Sequence, residues 1–332
     1  MCSSDLMLSF AASYLAADGM DPRVFKTHNL ALHLIAASLV CWLAVLLLSF
    51  LRTPDAEWVA LLTATFWMMS PLMLSTVLYV IQRMAQLACV FVLLGLILYC
   101  KARSASRGPQ AILLAVFSVA SLMIAVLCKE TAIVGVPLLV LVEVAVFRPR
   151  HPAGMYRVVE RSVALSVGIV ALLVLLAVAS GWQSDGVLDY GSRNFTLAER
   201  VITQPRVLLD YIAGLVWPFK GGFGIFHDDF PVSRGWIKPA SSVAAAAVIA
   251  ASILLSIAAI ARGRLRVMGF GILFFFLAHG VESTIFPLEI YFEHRNYLPA
   301  VGFYLALAWA LVHLLDRKST RLNSSHTVIS YA

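Results

Sequence analysis

The segment 287–299 holds the densest group of side chains in this chain that could do chemistry. Its candidates are the carboxylates Glu289 and Glu293, the imidazole of His294 and the guanidinium of Arg295. If the segment is helical, the four-residue spacing puts Glu289 and Glu293 on one face. The planar fork of Arg295 suits a pair of anionic oxygens, and His294 could donate to a phosphate or relay a proton. The alternative is a charge-neutral surface belt in which Glu293 pairs with Arg295.

Arg83 and Lys129 are two further cationic candidates. Arg83 follows an apolar stretch that Pro71 interrupts, so we expect a bend before it. Arg83 either binds an anionic substrate or extends toward lipid headgroups. Lys129 lies in a short polar connection, where it either binds the same anion or is neutralised by the adjacent Glu130.

Two adjacent aspartates, Asp228 and Asp229, follow a glycine-rich stretch. Paired carboxylates can bind a divalent cation or supply a base, and adjacent loop aspartates are also commonly just solvated. We expect Glu143 to pair with the nearby Arg148. His279 and Glu282 are three residues apart, which is too common a spacing to indicate a metal site, so the sequence names none.

The composition predicts that these side chains are carried by an all-α, polytopic membrane helical bundle. Of the 332 residues, 61% are hydrophobic and 13% are charged, and the mean hydropathy is +0.88. The net charge of +7 arises largely in short connections between apolar segments, which indicates membrane orientation and argues against a nucleic-acid partner. The five scattered cysteines have no metal-ligand spacing and are typical of packing residues.

About nine segments are apolar and long enough to span a bilayer. They cover residues 30–51, 58–77, 84–100, 111–128, 131–147, 162–182, 241–261, 267–282 and 297–315. A further short apolar stretch, 207–217, is interpreted as one interfacial or re-entrant helix, with Tyr211 and Trp217 at headgroup level.

The basic connections 101–109, 148–161 and 262–266 predict the cytoplasmic side. Counting spans from them places the polar clusters, the outer loop 183–240 and the 283–296 connection on the opposite side. The C-terminal end then lies in the cytoplasm. The sequence therefore predicts one polar site on the extracytoplasmic side of an inner membrane.

Both ends of the chain differ from the rest. Residues 1–6 and 317–332 are polar and aperiodic, and they are interpreted as an artefactual head and tail. Residues 7–316 are then the transmembrane domain of a truncated protein.

The order of these motifs resembles a known family. Asn29 to His33, Ser70 to Met84, Lys129 to Thr131 and Pro287 to Pro299 together resemble the membrane part of bacterial tetratricopeptide-repeat proteins. These are similar to the transmembrane and tetratricopeptide-repeat O-mannosyltransferases of the GT-C glycosyltransferase superfamily. The resemblance covers nearly all of residues 7–316.

The resemblance implies an enzyme that takes a sugar from a polyprenyl-phosphate carrier and passes it to an extracytoplasmic protein or glycan. It also implies a catalytic acidic residue in a loop upstream of this chain, so the catalytic residue is unknown and we expect the fragment alone to be inactive. Arg83, Lys129, His294 and Arg295 are the phosphate-binding candidates. Asp228, Asp229, Glu289 and Glu293 are the candidates for acceptor, cation or sugar contacts.

The alternative is a membrane transporter, or a flippase for lipid-linked sugars, without transferase activity. Transporters place substrate charges near the midplane and often contain inverted repeats. Because the polar clusters are predicted at one surface and no repeat is visible, the sequence favours the transferase.

Overall fold

The computed structural model describes residues 4–106, 108–147, 190–191, 193–218, 230–235 and 238–329. Every regular element within these ranges is helical, which confirms the predicted all-α class. The α-helices are α1 (Ser4–Ala17), α2 (Pro22–Phe50), α3 (Ala56–Met69), α4 (Leu74–Leu78), α5 (Arg83–Ser104), α6 (Gly108–Cys128), α7 (Gly135–Val142), α8 (Leu197–Val216), α9 (Ser241–Arg262), α10 (Arg266–Ala278) and α11 (Pro299–Ile329). The predicted domain limits at residues 6 and 316 fall inside α1 and α11.

Several of the helices are suited to a membrane. Five helical stretches are long and apolar enough to cross one: α2, Val80–Ser104, α6, Glu130–Phe147 and α9. A sixth arises if α3 and the following Pro71–Leu78 stretch form one broken span with a 53° bend. The nine predicted spans are therefore not confirmed, and the predicted span 162–182 lies outside the described residues.

The bend confirms the expectation from Pro71. Proline has no backbone N–H to continue a helix, and here it begins a short 3-10 turn, Pro71–Met73. Helix α3 ends one residue earlier, with Ser70 in an extended conformation. The predicted span 58–77 is thus two helical pieces, and α4 leads through a second turn into Arg83.

Helix α10 is shorter than predicted. The sequence pattern suggested a span over 267–282, but the helix ends at Ala278 and a series of turns follows. Glu282 therefore lies beyond the apolar helix, in the connection that leads to the 287–299 segment. This difference matters for the site, because it places the Glu282 carboxylate in the connection and not on the helix.

Close helix contacts fix the two main pairs of the bundle. Helices α5 and α6 are held by the hydroxyl of Ser118, which donates to the carbonyl oxygen of Gly95 at 2.8 Å. Helices α10 and α11 meet at two glycines, where a Cβ added to Gly302 would lie 2.5 Å from the carbonyl oxygen of Gly271. Such close approach of two backbones is a common device in membrane helix packing.

Large apolar faces remain exposed on α6 and α9. On α6, the exposed side chains include Ile112, Phe117 and Met123, and on α9 they include Leu254 and Leu255. A water-soluble protein rarely exposes apolar surface of this extent, whereas a lipid-facing helix requires it. These faces support the interpretation of both helices as membrane helices.

The two ends of the bundle carry different residues. The short connection between α5 and α6 makes them antiparallel, so Arg83 and Lys129 lie at one end, which we call the Lys129 end. The basic side chains of the opposite end include Arg52, Lys101, Arg103, Arg262, Arg264 and Arg266. Among the described cysteines, Cys89, Cys100 and Cys128 are buried among packed helices, as predicted.

Candidate functional site

Helix α8 anchors the connection that carries the 287–299 segment. A capping box starts the helix, because Thr196 and Glu199 each accept from the other's backbone N–H. One turn later Arg200 is fully buried and donates to carbonyl oxygens of the connection: Nε to Thr284 at 3.0 Å and Nη2 to Glu282 at 2.6 Å. These charge-assisted bonds hold a segment that has no regular secondary structure of its own.

Further bonds along α8 extend this attachment. Nη1 of Arg200 donates to the carbonyl oxygens of Leu288 and Glu289. Gln204 donates to the carbonyl oxygen of Ile290 at 3.1 Å, and the hydroxyl of Tyr211 bonds to both the N–H and the carbonyl oxygen of Phe292. The apolar stretch 207–217, predicted as an interfacial helix, therefore belongs largely to the longer helix α8, which is bound to this connection.

The environments of Tyr211 and Trp217 differ from each other. Tyr211 is fully buried, so it acts as an internal anchor of the loop, whereas Trp217 is exposed. Among the described helices, α8 is not one of those apolar enough to span a membrane.

Lys129, His294 and Arg295 line one small cavity at the Lys129 end of the bundle. Its volume is about 40 Å³, and Glu282 and Thr131 also line it. A single water needs roughly 10–15 Å³ of such volume, so the cavity has room for a few waters and not for a sugar ring. Three of the four predicted phosphate-binding residues are thus brought together, although Lys129 and Arg295 are far apart in sequence.

Glu282 is the direct partner of Lys129. The Lys129 Nζ and Glu282 Oε1 atoms are 2.6 Å apart, and both side chains are largely buried. The alternative, in which the adjacent Glu130 neutralises Lys129, is wrong about which residue does so. Glu130 is exposed, and Glu282 makes the ion pair with Lys129.

Electrostatics keep the cavity groups in defined protonation states. Burial raises the pKa of the Glu282 carboxyl, but the positive charges of Lys129 and Arg295 outweigh it and hold this pKa at about 2. Burial and the nearby Lys129 lower the pKa of His294 to about 3. At neutral pH the cavity therefore contains two cations, one carboxylate and an uncharged imidazole.

Arg295 is held by backbone and aromatic groups. It is buried, donates to the carbonyl oxygen of Glu289 at 2.7 Å, and lies over the ring of Phe292 at 5.2 Å from its centroid. Its closest approach to the Glu289 carboxylate is 3.9 Å. The guanidinium is thus fixed in position while one side borders the cavity.

The condition for a shared face of Glu289 and Glu293 is not met, because the segment that contains them is not an α-helix. Residues 287–292 have no regular secondary structure, and Glu293–Asn296 forms a short 3-10 turn. Glu289 is half-exposed and binds Arg193 at 2.8 Å, whereas Glu293 is buried. Burial raises the pKa of Glu289, but the hydrogen bond from Arg193, a backbone hydrogen bond and the charges of Arg193 and Arg295 together lower it by more, so the net pKa is below the usual value.

Arg83 lies at the same end of the bundle but does not line the cavity. It is buried, and its donors are taken by Asn29 Oδ1 at 2.8 Å, the hydroxyl of Ser13 at 2.7 Å, and the carbonyl oxygens of Ser9 and Phe25. The guanidinium joins α1, α2 and α5. The structure therefore separates Arg83 from Lys129, His294 and Arg295.

A second buried carboxylate, that of Glu143, lies at the opposite end of the bundle. Glu143 accepts two bonds from Arg103, at 2.9 and 3.0 Å, and a third from the hydroxyl of Tyr99 at 2.6 Å. The predicted structural role of Glu143 fits these contacts. Among the described residues Arg103 on α5 makes the ion pair with Glu143, and the predicted partner Arg148 lies outside them.

The predicted aspartate pair, Asp228 and Asp229, also lies outside the described residues. Within the described ranges, no group of three or more His, Cys, Asp or Glu side chains is placed to hold a metal ion. A cation at Asp228 and Asp229 remains an expectation from sequence.

Two residues of the site were missed by sequence reasoning. Glu282 was set aside with His279 as a common spacing, and Arg200 was not singled out. A signal for Glu282 was its position between an apolar helix and the charged segment, which is unusual for an unpaired carboxylate. Nothing in the local sequence identifies Arg200, because its partners are backbone carbonyls more than 80 residues away.

No family model matches the chain, and neither a curated protein nor a solved structure shows significant similarity to it.

Proposed function

We propose that this chain is the membrane domain of a glycosyltransferase that uses a polyprenyl-phosphate-linked sugar as donor. The observation that carries the proposal is the convergence of Lys129, His294 and Arg295 on one cavity. The ordered motifs that resemble the O-mannosyltransferases supply the reaction class. The acceptor is a protein or glycan on the extracytoplasmic side.

The chemistry of the cavity supports binding of a phosphate. Lys129 provides a compact ammonium, and Arg295 provides a planar guanidinium held by the carbonyl oxygen of Glu289. The phosphate is the leaving group of the transfer. Two fixed cations beside it stabilise the negative charge that develops on its oxygen when the bond to the sugar breaks. His294 is uncharged at neutral pH and can donate one hydrogen bond to a phosphate oxygen.

The size of the cavity supports binding of the donor's phosphate group separately from its sugar and its isoprenoid chain. A volume of about 40 Å³ accommodates a small polar group, so the sugar and the isoprenoid chain must lie outside it. In this arrangement, the cavity holds only the phosphate. The sugar faces the loop side, near the half-exposed Glu289, which is the candidate for acceptor or sugar contacts.

The topology that we propose has nine spans, with the Lys129 end extracytoplasmic. The described helices supply the six stretches named above and two shorter apolar helices, Arg266–Ala278 and Pro299–Leu315. The ninth is the predicted span 162–182. The two short basic connections at the end opposite the cavity, which contain Lys101 with Arg103 and the residues 262–266, support this orientation in a bacterial inner membrane.

The test is sugar transfer in membrane vesicles. Vesicles that contain the protein are supplied with undecaprenyl phosphate carrying radiolabelled mannose, glucose, galactose or N-acetylglucosamine, and label is followed from the lipid phase into protein or glycan. We expect the full-length protein to transfer one of these sugars. Arg295→Lys should lower it at least tenfold, because an ammonium cannot replace the planar fork.

The matched control is Arg262→Lys, which makes the same chemical change at the opposite end of the bundle and should leave transfer unchanged. Equal transfer by the Arg295→Lys variant and the wild type would remove the phosphate assignment. Label that crosses the bilayer and stays on the lipid would instead support the flippase alternative.

A further inference from the structure

Lys129, one of the two cations that line the cavity, already has an anionic partner. Glu282 contributes a carboxylate oxygen 2.6 Å from Lys129 Nζ, and its side chain is only 9% exposed. A phosphate oxygen that binds an ammonium takes a similar distance, about 2.7–2.9 Å. The Glu282 carboxylate therefore accepts from one of the three N–H donors of Lys129 that a phosphate oxygen would otherwise use.

Space in the cavity leads to the same conclusion. The remaining volume of about 40 Å³ has room for a few waters, and Lys129, Glu282 and Arg295 all border it. A phosphate group that contacts Lys129 would lie next to the Glu282 carboxylate, and two like charges side by side in a buried site repel each other. Displacement of the carboxylate would remove this repulsion.

The local backbone restricts this movement to the side chain. The carbonyl oxygen of Glu282 accepts from Arg200 Nη2 at 2.6 Å, so the main chain is anchored to α8. Glu282 lies in the turns after Ala278 and not within a helix. With its main chain held, the carboxylate would leave Lys129 by rotation of the side chain.

We propose that Glu282 is a displaceable counter-ion, whose carboxylate neutralises Lys129 in the unliganded site and gives way to the phosphate of the lipid-linked donor. The inference rests on the proposed function, and it makes Glu282 a residue that sets affinity for the anion. It also explains how two cations are kept in a largely apolar bundle before the donor arrives. A buried cation with no counter-ion would be strongly unfavourable.

The test is a binding titration with the purified protein in nanodiscs of phosphatidylcholine. Two probes are used in separate arms: undecaprenyl phosphate, and inorganic phosphate. The variants are Glu282→Gln, which is neutral and isosteric, and Glu282→Asp, which keeps the charge and so guards against a folding defect. Glu130→Gln is the matched control, because it removes an exposed carboxylate adjacent to Lys129.

We expect Glu282→Gln to bind undecaprenyl phosphate about tenfold or more tightly than the wild type, since a charge-assisted bond no longer has to be broken. Glu282→Asp should bind a few-fold more tightly, because its shorter side chain pairs less well with Lys129. Glu130→Gln should stay within about twofold of the wild type.

The outcomes separate the two proposals. Wild-type binding with no gain in either Glu282 variant would overturn the counter-ion role and leave the donor site standing. An equal gain in Glu130→Gln would also overturn it, since the effect would then be one of general charge. A gain for inorganic phosphate alone would support the counter-ion and contradict the lipid-linked donor, and binding of neither probe by any variant would contradict both proposals.

Discussion

Replacing Arg200 by methionine should destabilise the protein more than any exposed arginine replacement. The buried guanidinium bonds to four carbonyl oxygens of the connection, including those of Glu282 and Thr284. Hydrogen bonds to a charged group contribute about 1.5–3 kcal/mol each, and such contributions are not additive within one network. Methionine fills much of the space and removes the charge, but leaves those carbonyl oxygens without their donor.

We therefore expect a loss of about 3–5 kcal/mol in the free energy of unfolding. At roughly 2 °C per kcal/mol for a chain of this size, the unfolding temperature should fall by about 6–10 °C. Arg234→Met is the matched control, because Arg234 is 63% exposed and makes a surface ion pair with Glu199. Such a pair contributes about 0–1 kcal/mol.

The assay is thermal unfolding in detergent, followed by hydrogen exchange of the backbone amides in 282–292. The Arg200→Met protein should show faster exchange in this connection, while amides in α5 and α6 should keep their protection. Equal unfolding temperatures for Arg200→Met and Arg234→Met would refute the reasoning. So would unchanged exchange in the connection, because the arginine would then not be what holds it.

Two further predictions concern helix packing and pH. Gly302→Ala should lower the unfolding temperature by several degrees, because the added Cβ would meet the backbone of Gly271 at 2.5 Å, whereas Gly108→Ala, with nothing within 4 Å of its Cβ, should change it little. Acid should also lower stability, because folding lowers the pKa of His294 from 6.5 to about 3 and the pKa of Glu282 from 4.5 to about 2. As the pH falls, the unfolded chain therefore binds these protons before the folded chain does, and the folded state loses stability. Unfolding temperatures measured between pH 7 and pH 3 should fall throughout, and Glu282→Gln should flatten the part below about pH 5; a temperature independent of pH would contradict both assignments.

The helical class and several helix limits follow from sequence because hydrophobicity acts locally. The apolar run before Cys128 and the prolines at positions 22, 71 and 299 set the limits of their helices through the chain itself. Helix α10 was predicted too long because a segment of membrane-spanning length was expected, and hydropathy alone does not show where a helix stops.

The pairing of charges could not be predicted in the same way. Lys129 and Arg295 were chosen as cations near an apolar boundary, and they do line one cavity. Their carboxylate partner, Glu282, lies 153 residues from Lys129, and local spacing has no information on such a contact. For Arg83 the residue type suggested anion binding, but only the fold reveals that its donors bind α1 and α2.

Photolabelling with undecaprenyl phosphate tests the central claim most directly. A diazirine placed next to the phosphate is activated in membranes that contain the wild-type protein, and the labelled peptides are mapped by mass spectrometry. We predict label in 129–135 and 282–299, which excess undecaprenyl phosphate suppresses and which Arg295→Lys reduces. Label spread along the exposed faces of α6 and α9, unaffected by competitor, would contradict a phosphate site at the Lys129 end.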